Sequence, residues 1–94
     1  MQYERLLSLL EQTAEKLSIR IDYDDLQKGE VSTPGGFFKL RGEKYILIHR
    51  DLSVKEKVDL LCRILAEMDT ENTHLPPEIR ERIEGVRHRG TSQQ

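Results

Sequence analysis

Apolar positions along the chain change period several times, and each change marks an element. Tyr3, Leu6, Leu7, Leu10, Ala14 and Leu17 recur at three- and four-residue steps, with Glu4, Arg5, Glu11, Gln12, Glu15 and Lys16 between them. That spacing predicts an amphipathic helix of four or five turns, its apolar face broadened by Leu9. At Ser18 the period drops to two. Ile19, Ile21 and Tyr23 alternate with Arg20, Asp22 and Asp24, as in a strand with one buried face. The stretch from Asp24 to Gly36 reads as a connection, ending in Ser32-Thr33-Pro34-Gly35-Gly36, where proline before two glycines favours a turn with positive φ.

Phe37 to Leu40 and Lys44 to His49 flank Arg41-Gly42-Glu43, which predicts a β-hairpin with Gly42 in the tight position. Tyr45-Ile46-Leu47-Ile48 is apolar on consecutive residues, so this strand is expected to be covered on both faces or to sit centrally in the sheet. Ser53 followed three residues later by Glu56 is a capping-box pattern. Val54, Val58, Leu61, Leu65 and Met68, widened by Leu60, Cys62 and Ile64, make the helix behind it the spine of the core. After the polar stretch 70–73, Leu75-Pro76-Pro77 starts a third helix with the narrow stripe Ile79, Ile83 and Val86. Glu78 with Arg82, and Arg80 with Glu84, stand at ion-pair spacing on it.

These elements predict an α+β fold in the order helix, strand, β-hairpin, helix, helix. A small three-stranded, mainly antiparallel sheet is packed by the first two helices, and the third helix caps one end. Residues 1–86 form a single domain, and 87–94, polar and without period, read as a flexible C-terminal tail. Ninety-four residues allow one modest core.

Composition narrows the function classes. A net charge of −2 calls for no polyanionic partner, and nucleic acid is not expected as one. Arg80, Arg82, Arg87 and Arg89 are interleaved with Glu78, Glu81 and Glu84, as on a solvated helix face. One cysteine cannot close an internal disulfide, and no apolar run nears the roughly 20 residues that span a bilayer, so the expected location is cytoplasmic, without a membrane.

Candidate chemistry is sparse. His49 and Asp51, flanking Arg50 where the last strand leaves for the second helix, could move a proton, but no nucleophile accompanies them. Arg63 and Glu67 stand one helical turn apart as an ordinary ion pair, and Cys62 between apolar neighbours reads as a buried, inert thiol. His74 could join His49 on a metal, yet without paired cysteines the ligand spacing of a structural site is missing. Gly35-Gly36 precedes a strand, not a helix, so it is no phosphate loop. The expectation is no catalytic residue, no metal and no cofactor. His49, Asp51, Arg63, Glu67 and His74 form a speculative functional surface.

From Gly35 to Pro77 the pattern resembles the core of small bacterial zincin-like metallopeptidases: a glycine turn, a short hairpin, then a capped helix from Ser53 to Met68. The resemblance implies zinc-binding histidines four residues apart on that helix with a glutamate beside the first. Arg63, Glu67 and Ile64 occupy those places, so it implies the scaffold without the H-E-x-x-H site, and no peptidase activity. The leading functional expectation is a non-catalytic protein-interaction or regulatory domain that binds a protein partner or self-associates as a homodimer. The alternative is a small enzyme or metal-binding protein with a nonstandard site built from His49, Asp51, Glu67 and His74. A third is a nucleic-acid accessory protein using the C-terminal arginines.

Overall fold

A computed structural model describes residues 2–28 and 31–92, with side chains for 2–26 and 33–88. The elements run α1 (Gln2–Lys16), β1 (Ile19–Asp24), β2 (Gln27–Lys28), β3 (Val31–Ser32), β4 (Gly35–Leu40), β5 (Glu43–His49), α2 (Val54–Ala66) and α3 (Pro77–Ser92). The α+β fold and its element order are those the apolar periods predict. The connection after β1 adds one feature, a two-residue antiparallel pair of β2 with β3.

The main sheet has the order β1-β5-β4. β5 is central, as its consecutive apolar residues require. The sheet is mixed, not mainly antiparallel: β4 pairs antiparallel with β5, while β1 pairs parallel, from Ile19 opposite Lys44 to Asp24 opposite His49. The physical reason is the long connection 25–34. It carries the chain past β5 to the far edge, so the β4–β5 hairpin returns β5 alongside β1 in the same direction.

Alternation along the strands separates two faces. Ile46 and Ile48 are fully buried, and Ile21 and Phe37 of the same parity pack on the core. On the helical side Leu10, Ala14, Val58, Leu61 and Leu65 are fully buried with them. Thr13 of α1, also buried, spends its hydroxyl on the Leu9 carbonyl at 2.9 Å, which makes a polar residue tolerable there. α3 is more than an end cap. Ile79 and Ile83 are fully buried, and the helix packs against both α1 and α2.

The capping box of α2 forms as its sequence predicts. The Glu56 amide donates to Ser53 Oγ at 3.1 Å, and the Glu56 carboxylate accepts from the Ser53 amide at 2.8 Å. Ser53→Ala should cost about 1 kcal/mol, read as a lower midpoint in urea with an unchanged slope. At the other end, α3 continues past Val86 through Ser92, so the segment read as tail is helical over 87–92; residues 93–94 lie outside the described residues. Arg87 explains the extension. Its Nε donates to the Ala66 carbonyl and its guanidinium to the Met68 carbonyl, both at 2.7 Å, tying α3 to the end of α2.

Tyr23 joins β1 to the helices. Its hydroxyl donates to the Glu11 carboxylate of α1, and Lys57 of α2 lies over its ring at 5.1 Å from the centroid. Burial, then the hydrogen bond to Glu11 and its charge, raise the phenol well above its ordinary value. A proton held more tightly in the folded state stabilises the fold below about pH 10, and that contribution is lost as pH rises further. An absorbance titration at 295 nm should show Tyr23 withholding its ionisation through the ordinary phenol range. Tyr23→Phe should remove this particular source of alkaline destabilisation.

Candidate functional site

The five sequence-selected polar residues fall in three separate places. His49 ends β5 and is 3% exposed. By strand parity it belongs to the outer sheet face, but the turn after β1 folds over it. The Leu26 amide donates to His49 Nδ1 at 3.1 Å, which leaves the ring proton on Nε2 in the neutral form. Asp25 stands 3.9 Å from Nδ1 and Asp51 3.8 Å from Nε2, both beyond hydrogen-bond length. His49 and Asp51 are therefore neighbours, as their sequence spacing suggests. The imidazole is engaged as a structural acceptor that pins the 24–26 turn.

Arg63 and Glu67 project from α2 into the groove it makes with α3. Arg63 lines a depression of about 380 Å³ with Cys62, Arg82, Gly85 and Val86, and a shallower one continues toward Glu67 and Arg87. The expected Arg63–Glu67 ion pair is absent among the described residues, and both residues are exposed. Neither of the two pairs expected on α3 forms among the described residues. Glu78 takes Arg5 of α1 at 2.6 Å, not Arg82, and Arg82 lies over the Tyr3 ring at 5.4 Å from its centroid. Arg80 and Glu84 form no ion pair among the described residues. Cys62 is buried and forms no disulfide.

His74 is exposed in the connection between α2 and α3. Among the described residues no three of His, Cys, Asp and Glu come together in a group that could hold a metal ion. His49, Asp51, Glu67 and His74 thus supply no such group.

The surface that sequence reasoning did not single out is the outer face of the sheet. Ile46, Ile48 and Phe37 turn toward the helices, so Tyr45, Leu47, Phe38 and Leu40 turn away from them. Phe38 is 40% and Leu40 54% exposed. Phe38 stacks on Tyr45 across the β4–β5 pair, with ring centroids 5.2 Å apart and planes 12° from parallel. The Tyr45 hydroxyl donates to Glu43 at 3.1 Å, and that carboxylate holds the phenol above its ordinary value. Charge gathers on the opposite margin, where Arg20, Asp22 and Asp24 of β1 lie on the same face and are exposed. The signal was present in Phe37-Phe38: consecutive aromatics in a strand place one ring on each face, and only one face can meet α1 and α2.

This outer face offers contact, not reaction. It presents apolar and aromatic surface beside an open strand edge, with the Glu43 carboxylate beside Tyr45 and Arg20, Asp22 and Asp24 along the opposite margin. No described helix is long and apolar enough to cross a membrane. No family model, curated protein or solved structure matches the chain.

Proposed function

We infer that this chain is a non-catalytic protein-interaction domain whose contact surface is the β4–β5 side of the outer sheet face. One observation carries the reading: Phe38, stacked on Tyr45, is exposed beside Leu40 on a strand at the margin of the sheet. Aromatic surface at an open edge gains by being covered, and edge strands left bare recruit other chains. The polar residues elsewhere favour the same reading, since His49 is spent on a backbone amide and Arg87 on backbone carbonyls. A zincin-like scaffold without its metal site is compatible with it, because the hairpin followed by a capped helix would be retained for shape. A cytoplasmic location suits a buried Cys62 that forms no disulfide.

The test is a photoreactive side chain placed at Leu40, with exposed Arg80 on the outer side of α3 as control, in cells producing the protein. The expected result is a discrete adduct from position 40 that disappears when Phe38→Ser is added. Equal labelling from both positions, or none from either, would sink the reading.

A further inference from the structure

The open edge of β4 has a self-complementary pattern. The His49 amide donates to the Pro34 carbonyl at 2.8 Å, so Pro34 faces β5. In an antiparallel pair the facing residues alternate, hence Gly36, Phe38 and Leu40 also direct their backbone groups to β5. The backbone groups of Gly35, Phe37 and Lys39 point to the free edge. The Gly35 amide is already taken, donating to Thr33 Oγ1 at 3.2 Å. The amides and carbonyls of Phe37 and Lys39 have no partner among the described residues.

We propose that the occupant of this edge is a second copy of the chain, with β4 pairing antiparallel to its own symmetry mate about a two-fold axis at Phe38. The proposal rests on the interaction-domain reading above and names its partner. In this register Phe37 of one protomer exchanges both backbone hydrogen bonds with Lys39 of the partner subunit, and the reverse. Every vacant edge group of these residues is used, and the Gly35–Thr33 bond is left intact. A register centred on Phe37 would need the Gly35 amide, which is committed.

Side chains fit the same axis. Phe38 meets its own mate in a non-hydrogen-bonded pair, where Cα atoms approach to about 4.5 Å and aromatic cross-strand contact is favourable. Leu40, the most exposed large apolar residue among those described, lies opposite Gly36, where an added Cβ would meet nothing within 4 Å. A projecting side chain thus faces a position with no side chain, twice, as two-fold symmetry demands. An edge lysine ordinarily discourages pairing, but here Lys39 stands opposite Phe37 and not opposite its own copy. The product is a continuous sheet with the two Phe38–Tyr45 stacks side by side.

Sedimentation over a concentration series tests this. The mass of the wild type should rise from 11.0 kDa toward twice that value. Lys39→Pro removes an amide that faces the free edge, a place where an edge strand accepts proline, and should leave a folded monomer by circular dichroism. Gly36→Val should do the same by filling the notch. Because Cys62 is buried, the residual encounters of Phe38→Cys at high concentration should be trapped as a disulfide-linked dimer under mild oxidation, which the wild type does not form. A wild type that stays monomeric into the millimolar range, or a dimer untouched by both Lys39→Pro and Gly36→Val, would overturn the proposal. A monomer that still yields a discrete heavier adduct from position 40 removes the second copy and leaves the interaction reading standing; loss of both removes both.

Discussion

Gly35→Ala should cost more than about 4 kcal/mol, enough to take most of the stability of a domain this size, while Gly36→Ala leaves the fold intact. Gly35 has a φ of +140°, and a Cβ there would stand 2.1 Å from the Leu47 carbonyl oxygen and 3.0 Å from the Ile48 Cα. Both obstacles are backbone of the central strand, so relief requires β4 and β5 to separate. At Gly36 an added methyl meets nothing within 4 Å, and replacing glycine in an extended strand reduces the freedom of the unfolded chain. Thermal melts should place Gly35→Ala tens of degrees below the wild type, on the order of 4–8 °C per kcal/mol, and Gly36→Ala within a few degrees of it. Equal midpoints for the two variants would show that β4 does not approach β5 as described.

Arg87→Ala should be the next largest loss, about 3 kcal/mol. The guanidinium bridges the carbonyls of Ala66 and Met68 and lies 3.4 Å from the hydroxyl of buried Thr70. Removing it leaves carbonyls at the end of α2 short of a donor in a partly buried place, and frees the last turns of α3. Lysine offers a point charge without the planar fork, so Arg87→Lys should recover only part of the loss. Urea unfolding reads the size, and faster amide exchange confined at first to the 66–73 segment and the end of α3 would identify the cause. An unchanged midpoint would mean that α3 holds its place through Ile79 and Ile83 alone.

The contrast between these two positions shows what the chain discloses unaided. Pro34-Gly35-Gly36 announces a glycine-dependent backbone, but which glycine is indispensable depends on the Leu47 carbonyl, which only the folded sheet brings near. Ser53 with Glu56, Gly42 in the hairpin turn and the central position of β5 were legible because each rests on neighbours within a few residues. The parallel direction of β1 was not, since an alternating pattern reads the same from either end. The extension of α3 past Val86 escaped detection for a similar reason: Gly85 and polar residues signal an end locally, whereas the Arg87 tether reaches back to residues 66 and 68. At the candidate surface, Asp51 stands 3.8 Å from His49 Nε2, a nearness that two intervening peptide bonds already impose. The burial of His49 comes from the turn at residues 24–26, and the pairing of Glu78 with Arg5 crosses from α3 to α1. Both depend on tertiary approach and leave no mark in spacing.

The parallel pairing of β1 also sets an order of assembly. β4 and β5 meet through a two-residue turn, with Arg41 and Gly42 at φ of 55° and 82°, and hairpins of this kind close within about 1–10 μs. β1 reaches β5 only after all of residues 25–42 have been looped out, so its docking carries the larger closure entropy. Until then the central strand has a second bare edge. A chain in which β1 has not yet docked exposes both sides of the hairpin to a neighbour, so a substitution that slows this docking is expected to raise aggregation on refolding even where the unfolding midpoint is unchanged.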